Sequence, residues 1–190
     1  ADLQELLVTN EYHDACIYGH ALEGNFHFII SQSFDSPEQV ARYEKLMDEV
    51  KTLVVDKYDG SLKAEHGTGR NMAPFVKYEW GERAYGFMKA VKELFDPKGL
   101  LNPGVIFNED PHCHLKHFKP MPLTNAHVDK CIECGFCEVN CLTCGFSLSS
   151  RQRIVIQREI SRLKKLSDTE SSERLKTLQK QYKYLGNATC

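Results

Sequence analysis

Four cysteines, Cys131, Cys134, Cys137 and Cys141, spell C-x2-C-x2-C-x3-C. Thiolates at that spacing wrap three ligands around one face of an iron–sulfur cube, and such iron prefers soft sulfur donors. In two-cluster ferredoxins the fourth cysteine of the run serves the other cluster. The pattern therefore implies a second cysteine group, and Cys190, the last residue, reads as its opening, with the chain cut there. The plainer readings are a zinc knuckle or a redox-inert group of thiols. Leu142 stands where a proline usually follows the fourth cysteine. Cys144 is an extra thiol that can replace Cys141 as a ligand or simply be buried. Five of the eight cysteines fall within 131–144, which favours a metal or cluster site in a reducing compartment over a secreted disulfide framework. Cys16, in an apolar strand pattern, is expected in the core. Cys113 is ambiguous.

A second set is built from imidazoles and a carboxylate. Residues 19–27 read G-H-A-L-E-G-N-F-H, so His20 and His27 flank a turn that can bring two strand imidazoles together. Alone, that spacing fits two half-exposed strand histidines better than a metal pair. Glu65, in E-H-G-T-G-R, can supply the third donor. Two histidines and a carboxylate with open positions form a Lewis-acid site for a divalent ion. His66 is then a candidate general base beside it. Gly67 and Gly69 let backbone approach a flat ligand closely. Arg70 can hold a substrate carboxylate bidentately or make a surface ion pair. Residues 94–106, L-F-D-P-K-G-L-L-N-P-G-V-I, read as a helix end followed by a rigid Pro-Gly corner.

Elements must position these groups. Residues 1–12 carry a helical pattern, and 14–19 and 25–34 read as strands. Ser36 is a plausible N-cap with Pro37 at the first helical position. Val40, Tyr43, Leu46, Met47, Val50, Leu53 and Val54 continue at helical spacing until Gly60. Residues 61–65 are expected as a strand leading into the glycine loop, and 74–95 as one helix or two. Strand, strand, helix, strand, helix suggests an α+β layer with helices on one face. Prolines and histidines crowd 108–130, which reads as a linker with a domain boundary. Amphipathic helices at roughly 151–166 and 171–184 follow the cysteines. The expected domains are 1–110, a linker 111–130, and 131–190.

The net charge of −2 gives no reason to expect nucleic acid as a partner. No run approaches the ~18 apolar residues of a membrane span.

Taken together, three segments resemble one family. Gly19-His20-Ala21-Leu22-Glu23-Gly24-Asn25-Phe26-His27, Glu65-His66-Gly67-Thr68-Gly69-Arg70, and Phe95-Asp96-Pro97 through Asn102-Pro103-Gly104 are similar, in that order, to motifs of the FAD-linked oxidases of the vanillyl-alcohol-oxidase type. The branch is that of the D-lactate, glycolate and D-2-hydroxyglutarate dehydrogenases. One subgroup is fused to a ferredoxin-like domain with two four-iron clusters, which the cysteine run and the following Arg151-Gln152-Arg153-Ile154 resemble. Phe26 and Leu142 depart from the usual pattern.

The resemblance implies an α+β fold: an antiparallel sheet with helices, the C-terminal part of the oxidase cap domain, followed by a small α-helical ferredoxin-type domain. His20, His27 and Glu65 match ligands to zinc or manganese, and His66 the residue that takes the substrate hydroxyl proton while hydride passes to FAD. Asn102 matches an asparagine near the flavin, Gly67 its glycine loop, and Asn25 a residue at the site's mouth. The implied activity is oxidation of a D-2-hydroxy acid, D-lactate foremost, with electrons leaving through 4Fe-4S clusters to a quinone or carrier protein. The family's large FAD-binding domain is not in this sequence, and the chain opens on Ala1 within a helical pattern. It is therefore expected to be a fragment or split-gene product, inactive alone and in need of that domain in the same or a companion chain. The expected location is cytoplasmic, compatible with the inner face of a membrane. Readings of other classes are a non-catalytic electron-transfer subunit and a zinc-stabilised interaction module.

Overall fold

The computed structural model describes residues 1–63, 65–119 and 121–184. In chain order these form α1 (Asp2–Thr9), β1 (Cys16–His20), β2 (Asn25–Ile29), α2 (Pro37–Lys51), α3 (Ala73–Phe95), α4 (Ser150–Leu163) and α5 (Thr169–Gln181), with short 3-10 turns between α3 and α4. The architecture is α+β, with a two-stranded antiparallel sheet and five helices. Internal contacts divide it into two compact units, residues 1–119 and 120–190.

In the first unit, sequence signals set the starts of elements. Ser36 is extended; its hydroxyl accepts the Gln39 N–H while the Gln39 side chain takes the Ser36 N–H. This reciprocal cap, with Pro37 at the first position, launches α2. Tyr43, Leu46, Met47 and Val50 then bury one face of it. Leu46 and Val50 pack with Leu7 of α1 and Tyr12, and Phe28 and Ile30 close that core from the sheet side. Tyr43 and Met47 pack on Phe75 of α3, with Phe34, Leu115 and Phe118 around them. After α2 the helix widens into a π-type turn, Thr52–Lys57. Helix α3 breaks its geometry at Gly81, whose φ of 72° lies in the left-handed region.

Three expectations need correction. Residues 61–63 form no strand, because a side chain captures their polar groups: Glu79 of α3 accepts the Ser61 hydroxyl at 2.6 Å and the Leu62 N–H at 3.1 Å. Cys16 is exposed rather than buried. Phe28, which packs on the core, pairs with Ile17, and Cys16 stands one position away on the opposite face of the pleat. Residues 112–118 are not an open connection: His114 is buried, Leu115 and Phe118 pack on the Tyr43–Phe75 cluster, and Phe118 stacks on Phe34 at 4.0 Å between ring centroids.

In the second unit, Ser149 caps α4 in the same reciprocal fashion with Gln152, and the Asp168 carboxylate accepts the Ser171 N–H to start α5. Arg153, Arg158, Ile160 and Leu163 form the buried side of α4. No helix among the described residues is long and apolar enough to cross a membrane.

Candidate functional site

The hairpin register creates the first half of the site. Tyr18 pairs with His27 and His20 with Asn25, so His20 and His27 are diagonal neighbours on one face. Two features fix the turn end. The Asn25 Oδ1 accepts the His20 N–H at 2.9 Å, and Gly24 takes a left-handed φ of 66°. Gly19 is required by contact: a Cβ there would lie 2.0 Å from the Asn25 carbonyl oxygen. Tyr18 stacks on the His27 ring, centroids 5.2 Å apart and nearly parallel.

Glu65 brings the second half. Its carboxylate lies 3.3 Å from His20 Nε2 and 3.1 Å from His27 Nε2. Ligand atoms of these three residues all lie within 4.8 Å of one another. The His27 Nε2 atom is buried without a hydrogen bond, although Glu65 Oε1 is near in distance, so its lone pair or proton lacks an aligned partner. An orphaned imidazole nitrogen facing a carboxylate and a second imidazole is the donor set of a divalent-ion site, and the three residues fit one. His66 Nε2 reaches the same Glu65 Oε1 at 2.9 Å, and its side chain is 79% exposed. It is thus the most exposed imidazole of the four-residue group, ahead of His20 at 60% and well ahead of His27 at 15%.

The glycine loop is tied to the Pro-Gly corner. The Arg70 Nη2 donates to the Pro103 carbonyl at 3.1 Å, and the Ile106 N–H to the Gly69 carbonyl at 3.3 Å. Arg70 is exposed and makes no ion pair among the described residues. Gly67 and Gly69 both have positive φ, with open space where a side chain would go. Asn102 is left-handed at φ 44° and lines a shallow cavity of about 330 Å³ with Lys92, Asp96 and Phe107. Asp96 anchors that corner: hydrogen bonds from Lys92 and from the Leu101 and Leu100 N–H groups hold its carboxyl down at about 2. Asn25 serves the hairpin turn directly.

In the second unit, Cys131 and Cys141 are half-buried, and Cys134, Cys137 and Cys144 exposed; the alternative of a buried Cys144 is excluded. Cys190 lies outside the described residues. Among the described residues, His20, His27 and Glu65 are the one set gathered tightly enough for a single ion, and the cysteines are not so gathered. A zinc knuckle needs such gathering, whereas a four-iron cube gives each thiolate its own iron. The Cys131 sulfur accepts the Glu133 N–H at 3.4 Å. The Cys141 sulfur lies 3.3 Å from the Thr143 hydroxyl and 3.7 Å from that of Ser150. Hydrogen bonds from Thr143, then from Ser150, pull the Cys141 thiol down to about 6. A soft donor such as Cys141, already disposed to ionise, suits a thiolate-bound cluster.

Sequence reasoning missed Tyr18 and the side chains behind the cysteines. Tyr18 was visible in principle, two residues before His20 and so on the same face of the strand. The partners of the cysteine loop come from α4, whose opening Arg151-Gln152-Arg153-Ile154 the sequence singled out without giving it a role.

The hairpin presents two imidazoles to a carboxylate, beside an exposed third imidazole and a glycine loop, and so gathers a candidate metal-binding group on an α+β scaffold. Residues 1–106 match the family model of the FAD linked oxidases, C-terminal domain, and the chain belongs to that family. It is 32% identical over 95 residues to "Glycolate oxidase subunit GlcD" of Bacillus subtilis, covering 50% of this chain and 20% of the relative. It is 36% identical over 107 residues to "D-2-hydroxyglutarate dehydrogenase" of Stutzerimonas stutzeri, covering 54% and 23%. With "D-lactate dehydrogenase [cytochrome] 1, mitochondrial" of Saccharomyces cerevisiae it shares 33% over 96 residues, covering 50% and 16%. The chain thus spans about a fifth of the length of the curated relatives it matches. No solved structure matches it.

Proposed function

We propose that this chain carries the substrate-side metal centre of an FAD-dependent D-2-hydroxy-acid dehydrogenase and, after it, an iron–sulfur relay. The observation that carries the reading is the convergence of His20, His27 and Glu65, with the unpaired His27 Nε2 facing the carboxylate. These three residues would hold zinc or manganese. Bound there, the ion supplies Lewis-acid polarisation of a hydroxy acid's oxygens. His66, exposed and beside the ligands, takes the hydroxyl proton at Nε2. Arg70, fixed at one Nη by Pro103, offers its guanidinium to the substrate carboxylate. Gly67 on the glycine loop and Asn102 on the Pro-Gly corner would contribute to holding the flavin. FAD supplies the two-electron acceptor for the α-hydrogen.

The flavin-binding part belongs to the same or a companion chain. The match to only 20% of the first relative's length supports this, as does an exposed apolar stripe on α3, Phe87, Leu94 and Phe95, that such a domain can cover. Cys131, Cys134, Cys137 and Cys141 would hold a 4Fe-4S cluster that passes single electrons to a quinone or carrier protein, and Cys190 would open a second ligand set. D-lactate is the first substrate to test. A cytoplasmic location, against the inner face of a membrane when the acceptor is a quinone, agrees with this chemistry.

The test is co-expression with a flavin-binding domain of the same family, followed by assay of D-lactate, D-2-hydroxyglutarate and glycolate oxidation. Turnover that disappears in His20→Ala and Glu65→Ala supports the proposal. Turnover that survives either change removes the metal centre from the mechanism. Absence of oxidation of all three acids overturns the dehydrogenase reading and leaves the electron-transfer subunit and the zinc-stabilised interaction module.

A further inference from the structure

Helix α4 directs three arginines at the cysteine-bearing stretch, and two of them are neutralised. The Arg151 Nε meets Glu138 at 2.9 Å, and the Arg158 Nη1 meets Glu133 at 2.6 Å. Arg153 differs. It is 7% exposed and makes no ion pair among the described residues. Its Nε donates to the Leu148 carbonyl and its Nη2 to the Thr143 hydroxyl, each at 3.2 Å, while its Nη1 is buried without a partner. A guanidinium cannot shed its charge, and burial without a counter-charge is strongly unfavourable. The Thr143 hydroxyl that Arg153 holds lies 3.3 Å from the Cys141 sulfur. The cation is therefore two hydrogen bonds from that sulfur.

The hydrogen bonding suits a ligated, permanently ionised sulfur. Thr143 donates its single hydroxyl proton to the Leu148 carbonyl at 2.7 Å, and that carbonyl also accepts from the Arg153 Nε. When the sulfur is a thiolate the Thr143 proton can turn to it, and Arg153 still satisfies Leu148. Four thiolates outweigh the charge of a cubic iron–sulfur core, so the assembled group is a net anion. A buried cation beside it favours the reduced, more negative state, because net charge and hydrogen bonds to sulfur set cluster potentials.

We propose that Arg153 is the positioning and counter-charge residue of a cluster held by the cysteine loop, fixing Thr143 against the Cys141 sulfur and raising the cluster's reduction potential. This rests on the iron–sulfur reading above. The test is anaerobic reconstitution of the full chain with iron and sulfide, then redox titration followed by visible and paramagnetic resonance spectra. Arg153→Met is expected to shift the midpoint to more negative values. Arg153→Lys, which keeps the charge, should stay near wild type. Arg151→Gln, at a position neutralised by Glu138, should shift it less than Arg153→Met. Should Arg153→Met fail to fold, Thr143→Val carries the test, with a smaller shift in the same direction. A cluster whose potential is unmoved in Arg153→Met, or unmoved in Thr143→Val where that variant stands in, overturns the inference alone. A wild-type chain that takes up zinc and never a coloured cluster overturns the iron–sulfur reading itself, and the inference with it.

Discussion

Replacing Glu65 by Gln keeps the shape of the ligand and removes its charge. The carboxylate oxygens now serve three imidazoles, at 3.3 Å from His20, 3.1 Å from His27 and 2.9 Å from His66. Its side chain is 35% exposed, so solvent screens it, and the dielectric of water gives a lower bound. At an ordinary metal–oxygen distance of ~2.1 Å, a charge of −1 against +2 is worth about 4 kcal/mol even at a dielectric of ~80. The amide oxygen of Gln remains a weak neutral donor and restores part of this. The expected loss is ~2–4 kcal/mol, or about 30- to 700-fold in dissociation constant. Manganese is the suitable probe, because the cysteines are soft donors that compete for zinc. Free Mn²⁺ is read from its paramagnetic resonance signal during titration of the full chain. Binding within threefold of wild type would refute the reasoning, because it would mean that the carboxylate is no ligand.

Gly19→Ala places a Cβ against the Asn25 carbonyl at 2.0 Å. The strand end must shift, at a cost of ~1–3 kcal/mol, and the alignment of His20 with His27 goes with it. Weakened manganese binding with retained helical circular dichroism is expected, and unaltered affinity would show that the hairpin register does not matter. His114 is buried against Tyr43 and Phe75, and burial pushes its pKa below the usual histidine value. The unfolded chain then binds the extra proton first. Stability is constant above about pH 6.5 and falls below it by up to ~1.4 kcal/mol per pH unit until the folded-state pKa is reached. Urea unfolding of wild type and His114→Phe between pH 5 and 8 measures this. Parallel curves for the two proteins would contradict the assignment.

The legible parts of the fold were those specified locally. Ser36 and Pro37 announced α2 within a few residues, and the two histidines flanking Glu23-Gly24-Asn25 announced a hairpin whose register then put them on one face. The E-H pair at Glu65 and His66 was readable as residue chemistry, and its approach to the hairpin followed from the motifs taken together. Where the reading failed, the deciding partner was distant in sequence. Residues 61–63 have strand-like composition, yet Glu79 takes their hydrogen bonds. Cys16 sits in an apolar pattern, but a ribbon of two strands leaves one face without a cover. Leu115 and Phe118 lie among prolines and histidines, and only their packing on Tyr43, Met47 and Phe75 explains their partial burial. Arg153 looks like any basic residue on an amphipathic helix until the cysteine loop is folded over it.

The two-stranded ribbon has a further consequence. A lone hairpin is at best marginally stable in water, and every residue of β1 is solvent-exposed. Both imidazole donors therefore ride on a part of the molecule that breathes far more easily than the α1–α2 core melts. An ion held by His20, His27 and Glu65 as proposed would have its capture and the closure of the ribbon in one equilibrium, and its residence time would be governed by fraying of a few residues around Gly19 and Gly24.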